Sequence, residues 1–287
     1  MLFVIKFILM NGKKMDYQIH QCTENTAAEF LILSSGLGGH ASFWKPQIEA
    51  LTQYFHVLSY DQEGCHPDSA LLPEGYAITD LAKQLPEIIK LEKIQDFHFI
   101  GHAIGGFIGA ELAVLIKSSE ATLLSLTCIN SWDELDPHTQ KCFEARIHLL
   151  KSAGAEAYIR AQGLFLYPPA WISKNHQHLN TLENIQLEDF PTAANVLKRI
   201  QAAQKFRIDE QHIQALQYSQ LHFIANQDDF LVPVHKSSDL QQRLGHGQLS
   251  VLATGAHAST LTEPELLNKT MLQFFKNHFL KVVSLSN

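Results

Sequence analysis

The chain has 287 residues, of which 46% are hydrophobic and 18% charged, the composition of a globular fold with a sizeable core. Acidic residues outnumber basic ones 29 to 22, a net charge of −7. That sign argues against nucleic acid or an anionic membrane as partner, both of which need a concentrated basic surface, and leaves a small molecule as the expected partner.

Residues 1–10 are apolar apart from Lys6 and too short to span a bilayer, and Asn11-Gly12-Lys13-Lys14 follows instead of a small-residue cleavage site. The preferred reading is an upstream extension over residues 1–14, with a secreted or anchored protein as the lesser alternative. Met15 then begins a first strand, MDYQIHQC. Residues 31–35 (LILSS) form a short apolar run ending in Gly36-Leu37-Gly38-Gly39, a strand feeding a glycine turn. A helix is predicted over 43–54, with Phe43, Trp44, Ile48 and Leu51 at helical spacing, and a strand over 55–60 ending at Asp61. Residues 78–90 read as an amphipathic helix, 97–100 as a strand, 101–106 as a sharp turn, 104–117 as a helix and 123–130 as a strand.

The alternation stops at Trp132. Residues 132–213 are mostly helical, broken at Tyr167-Pro168-Pro169. Strand 221–226, helix 233–243, strand 248–252 and helix 263–279 follow. Alternating strands and helices predict an α/β fold, a mostly parallel sheet with helices on both faces. Segment 132–213 reads as a helical lid over the strand ends, between a first core half at 15–131 and a second at 214–287.

Four short segments carry chemistry. Gly101-His102-Ala103-Ile104-Gly105-Gly106 follows an apolar strand and opens a helix. This is the setting of the G-x-S-x-G nucleophile elbow, with Ala103 where serine would stand. Ser34-Ser35-Gly36-Leu37-Gly38-Gly39 occupies the loop that, in such folds, gives one backbone N–H to an oxyanion hole. The two donors would be Leu37 and Ile104. Neither a phosphate-binding Lys-Ser/Thr pair nor dinucleotide glycine spacing is present, since Ala41 stands where the last glycine would be. Gln227-Asp228-Asp229 before Pro233, and Gly255-Ala256-His257 after the last strand, can supply an acid and a histidine. Alone, each reads as a capped turn or a loop residue. Together they occur in the order elbow, acid, His, each at the C-terminal end of a predicted strand.

On these segments the chain resembles the α/β-hydrolase superfamily from about Met15 onward. It is also similar, more specifically, to the D-protein family of the Rut pyrimidine-utilisation pathway. Ser35-Gly36-Leu37-Gly38-Gly39, Tyr60-Asp61-Gln62, the Ala103 elbow, Asn130-Ser131-Trp132, Leu164-Phe165-Leu166-Tyr167-Pro168 and Asp228-Asp229 through Val232-Pro233 carry that likeness. The resemblance implies Asp229 as acid, with Asp228 as its substitute, His257 as base, and carbamate or 3-aminoacrylate as substrate with ammonia released. The sequence departs at Glu63-Gly64-Cys65-His66, where the superfamily more often has Arg-Gly-x-Gly.

A methyl group at Ala103 cannot attack a carbonyl, so the expected chemistry is water activated by His257 and Asp229, with Leu37 and Ile104 N–H groups stabilising the oxyanion. Two other readings also accommodate Ala103: a catalytically silent binding protein, and a cofactor-free lyase or oxygenase. No metal or cofactor is expected. Cys22, Cys65, Cys128 and Cys142 match no zinc or redox spacing and read as free thiols in a reducing cytoplasm; the pair His176 and His178 reads as surface. Trp132, Phe165, Tyr167 and Trp171 read as lid residues that either line a pocket or pack the lid. Nothing in the sequence fixes an oligomeric state.

Overall fold

The computed structural model of the chain describes residues 3–10 and 13–279. Its strands are β1 (Phe3–Met10), β2 (Lys13–His20), β3 (Phe30–Ser34), β4 (His56–Tyr60), β5 (Asp96–His102), β6 (Thr122–Ile129), β7 (Gln220–Asn226) and β8 (Gln248–Leu252). They form one sheet in the order β1-β2-β4-β3-β5-β6-β7-β8. The first two pairs, β1 with β2 and β2 with β4, are antiparallel; all later pairs are parallel. Residues 3–10, set apart above as an extension, thus pair with β2, Phe3 opposite His20.

The central strands read as unbroken apolar runs because both faces of the sheet are covered. On β3, Ile32 faces one core with Leu58, Phe97 and Phe107, while Leu31 and Leu33 face another with Trp44, Val57 and Phe275. The helices are α1 (Lys45–Leu51), α2 (Ile78–Ala82), α3 (Gln84–Leu91), α4 (Ile104–Leu115), α5 (Pro137–Leu166), α6 (Pro169–Glu188), α7 (Ala193–Lys205), α8 (Glu210–Leu216), α9 (His235–Leu244), α10 (Ser259–Thr262) and α11 (Pro264–His278). No helix among the described residues is long and apolar enough to cross a membrane.

Prolines explain where the helices depart from the predicted spans. The helix expected over 43–54 is a 3-10 turn, Ala41–Trp44, followed by α1, with Pro46 in its first turn. The helix expected over 78–90 breaks at Lys83, so that Pro86 falls in the first turn of α3, where its missing N–H costs nothing. The helix expected over 263–279 is α11, which Pro264 starts, with the short α10 just before it. Within 132–213, α5 bends at Gly154 (φ 83°) and α6 at Asn175. Helices α5, α6 and α7 wall a cavity above the strand ends, whereas α8 packs on α4 in the core.

Candidate active site

Strands β3 to β8 run parallel, so the loops after β3, β5, β7 and β8 open on the same edge of the sheet. The site is assembled there. Ala103 joins β5 to α4 at φ 49°, ψ −114°. A residue with a Cβ pays roughly 1–3 kcal/mol for such a conformation, which persists only if its surroundings impose it. They do. The Ala103 N–H donates to the Ile129 carbonyl at 2.8 Å, and its carbonyl accepts from Ser131 Oγ at 2.7 Å. The flanking glycines are steric necessities. A Cβ on Gly101 would stand 2.1 Å from the Gly105 carbonyl carbon, and one on Gly105 2.2 Å from the Ser34 carbonyl oxygen. The strained elbow is therefore intact although its apex carries only a methyl group.

His257 lies in the loop after β8 and Asp229 in the loop after β7. His257 Nδ1 and Asp229 Oδ2 are 2.8 Å apart, both residues buried. The other carboxylate oxygen, Asp229 Oδ1, accepts from the N–H groups of Leu231 at 2.8 Å and Val232 at 2.9 Å. This fixes the carboxylate, and Nε2 is the ring atom of His257 left for the cavity that the residue lines. Asp228, held open as the substitute, points elsewhere. Its carboxylate accepts from Ala256 N–H at 2.8 Å, Gly255 N–H at 3.3 Å and Thr254 Oγ1 at 3.2 Å. The two adjacent acids divide the work: Asp229 meets the imidazole and Asp228 ties down the turn that presents it.

Two further residues, which the sequence reading did not single out, hold the same turn. His102 Nε2 meets the His257 carbonyl at 2.8 Å, and Asn130 Nδ2 donates to that carbonyl at 3.0 Å. Burial, and then the nearby His257, lower the pKa of His102 to about 3, so it stays neutral and donates through Nε2. Burial likewise lowers His222 in β7 to about 4; it stacks on Phe274 at 4.5 Å. Both values lie below that of an unfolded histidine, near 6.5. Below pH 6.5 the unfolded chain therefore takes up protons that the folded chain refuses, and stability falls as the pH drops. The slope is about 1.4 kcal/mol per pH unit for each histidine, down to its folded pKa. Urea midpoints at pH 7 and pH 5 are expected to differ by up to about 4 kcal/mol in unfolding free energy; a flat profile over that range would contradict the buried neutral histidines.

Leu37 and Ile104 both line the cavity. Among the described residues neither N–H has a protein acceptor, as an oxyanion donor requires. The Leu37 carbonyl, in the next peptide unit, is held by Arg199, a fully buried residue of α7. Arg199 Nη2 and Nε donate to the Leu37 carbonyl at 3.0 and 3.3 Å, Nη2 to Gln62 Oε1 at 2.6 Å, and Nη1 to the Glu63 carbonyl at 2.7 Å. Gly39, at φ 87°, makes room: a Cβ there would lie 2.8 Å from Arg199 Nη2.

The cavity has a volume of about 270 Å³ and is mostly apolar, with Ala103 and His257 on its floor and Phe143, Tyr158 and Ile159 in its lid. Of the four aromatic residues named from the sequence, Trp132 and Tyr167 line it; Phe165 and Trp171 do not, and Trp171 stacks on Tyr167 at 4.9 Å. A second buried cation, Arg146 of α5, also lines it. Arg146 Nη2 donates to Tyr158 Oη at 2.8 Å and Gln162 Oε1 at 2.6 Å, while its Nε is buried with no partner. Neither arginine has a carboxylate within salt-bridge distance among the described residues. At the rim, His40, Asp61, Cys65 and His66 bring their donor atoms within 4.8 Å of one another.

This sheet order, the strained elbow and the Asp229–His257 pair on successive parallel strand ends define an α/β-hydrolase architecture. A family model described as alpha/beta hydrolase fold matches residues 30–264, and the chain belongs to that family. Its similarity to solved structures is one of fold. It shares a TM-score of 0.80 at 19% identity with an enol-lactonase from Burkholderia xenovorans, covering 94% of this chain and 99% of that one. With a hydrolase from Pseudomonas aeruginosa the TM-score is 0.78 at 20% identity, over 95% and 98% of the two chains. Within the superfamily the chain belongs with the RutD proteins. It is 49% identical to "Putative carbamate hydrolase RutD" of Acinetobacter baylyi over 91% of this chain and 98% of the relative. With the protein of the same name from Stutzerimonas stutzeri it is 41% identical, over 90% and 95%.

Proposed function

We propose that the protein is a hydrolase that releases ammonia from a small anionic C–N substrate, carbamate or 3-aminoacrylate, in pyrimidine breakdown, using water in place of a serine. The observation that carries this reading is the 2.8 Å contact of His257 Nδ1 with Asp229 beside an elbow that offers only a methyl group. The Asp229 carboxylate holds the proton on Nδ1 and leaves Nε2 as a base. A cavity of about 270 Å³ bordered by Ala103 has room for both a small substrate and a water. Nε2 takes a proton from that water as it attacks the carbon bearing nitrogen. With carbamate, the N–H groups of Leu37 and Ile104 receive the developing oxyanion, and the proton then passes from His257 to the departing ammonia. With 3-aminoacrylate, addition of water gives a carbinolamine that loses ammonia. The RutD names support a carbamate substrate, and two cavity-lining arginines, neither in salt-bridge contact with a carboxylate among the described residues, supply the positive charge that either anion needs.

Ammonia release by purified protein over the rate in buffer tests this reading, with a neutral ester of the same substrate as control. Faster turnover of the anion supports it; equal rates with the ester would remove the role given to the arginines. The alignment of the site is tested by Ala103→Ser. That variant is expected to gain hydrolysis of a small activated ester, because the elbow would aim Oγ at His257 and the two N–H donors. No gain in a folded variant would show that these groups do not converge.

A further inference from the structure

We propose that His40, Asp61, Cys65 and His66 form a metal site, suited to Zn2+, at the rim of the cavity. Nothing in the reaction proposed above needs these residues, and the sequence reading expected no metal. Their side chains come from two loops: His40 follows β3, and Asp61, Cys65 and His66 follow β4. One donor atom from each lies within 4.8 Å of every other. A zinc ion with bonds of about 2.0–2.3 Å holds its donors roughly 3.3–3.8 Å apart, so side-chain adjustments of about 1 Å complete the set. One thiolate, two imidazoles and one carboxylate make a four-ligand set of the kind that zinc binds tetrahedrally.

The surroundings of the four residues are those of a ligand shell. Metal-binding histidines characteristically donate their second ring N–H to a carboxylate, which fixes the tautomer and aims the free nitrogen. Asp189, at the end of α6, does this for His66, its Oδ1 lying 3.1 Å from His66 Nδ1, and its Oδ2 lies 3.6 Å from His40 Nδ1, within ion-pair distance. His66 Nε2 is thereby left for the ion and is already 3.3 Å from Asp61 Oδ2. Asp61 is anchored through its other oxygen, which accepts from Ala41 N–H at 2.8 Å. Cys65 is fully buried and reaches the cluster because Gly39 has no side chain; a Cβ there would lie 2.6 Å from Cys65 Cβ. Asp189 belongs to the lid and the four ligands to the core loops, so a bound ion clips the lid to the core beside the cavity, with no coordination position left for substrate.

The test uses the full chain, stripped of metal with a chelator and then titrated with Co2+ and with Zn2+. One Co2+ per chain is expected, with a thiolate-to-cobalt charge-transfer absorption, displaced by one Zn2+ that also raises the melting temperature. Cys65→Ser, a near-isosteric change, is expected to abolish the charge-transfer band. Asp189→Asn, which touches no metal, is expected to weaken Zn2+ binding about 10–100-fold. Circular dichroism establishes that each variant is folded, and the cobalt spectrum of the unaltered chain tests the site even if one is not. Cobalt uptake without a thiolate band, no uptake, or Zn2+ affinity unchanged in folded Cys65→Ser and His40→Ala would overturn the proposal.

Discussion

Replacing His257 with alanine is expected to lower the rate of ammonia release about 10²–10⁴-fold, the usual worth of a positioned general base. This is the largest catalytic effect expected of a single side chain, because the site has no serine to share the work. Asp229 is set against Nδ1 at 2.8 Å, so the loss falls on the proton-accepting Nε2 and not on substrate binding. The drop should accordingly appear in kcat, with KM little changed. What remains should still exceed the rate in buffer, since oxyanion donors and binding alone leave roughly 10³–10⁴-fold catalysis in triad enzymes stripped of their side chains. If the variant is folded and its rate is unchanged, His257 is not the base.

Replacing Arg199 with alanine is expected to be the most destabilising single change near the site. It strips donors from three acceptors, Gln62 Oε1, which is buried, and the half-buried carbonyls of Leu37 and Glu63. Each buried acceptor left unpaired costs about 1–3 kcal/mol, and water from the adjacent cavity recovers part of that, so a net loss of about 3 kcal/mol is expected. The same change frees the Leu37 carbonyl, next along the chain from the Leu37 N–H proposed above as an oxyanion donor. Activity per folded molecule should therefore fall as well. Arg199→Lys keeps the charge but not the planar fork and should recover only part of either loss. Equilibrium unfolding in urea measures the first effect; a loss below about 1 kcal/mol would mean that Arg199 is not what holds the loop.

The parts of this site that were legible in the sequence are those fixed by local backbone geometry. The glycines at 101, 105 and 106 declare the elbow because close backbone approach forbids a Cβ, and Asp229 and His257 could be placed because each follows its strand by a few residues. Asp228 and Asp229 could not be told apart, since which acid meets the imidazole depends on a turn that their spacing does not encode. Arg146 and Arg199 were invisible for a different reason. An arginine on an amphipathic helix reads as solvated, and only the docking of α5 and α7 over the strand ends turns these two inward. His102 occupied a variable position of a motif, and nothing local told of its bond to a carbonyl 155 residues away. The group at His40, Asp61, Cys65 and His66 eluded spacing rules because two separate loops compose it and a lid residue, Asp189, supports it; the one local hint was Cys65-His66 where glycine-rich sequence was expected. Helix boundaries failed at Pro46 and Pro86, where periodicity continues across a residue that can only sit in a first turn.

Hydrolysis without a covalent intermediate is tested by following turnover and protein mass together. Purified protein is given carbamate or 3-aminoacrylate, ammonia is measured against buffer alone, and the intact mass of the protein is recorded during turnover. Saturable release of many ammonia molecules per protein is expected, with the protein mass unchanged throughout. Ammonia release no faster than in buffer, or a substrate-derived mass on the protein during turnover, would contradict it.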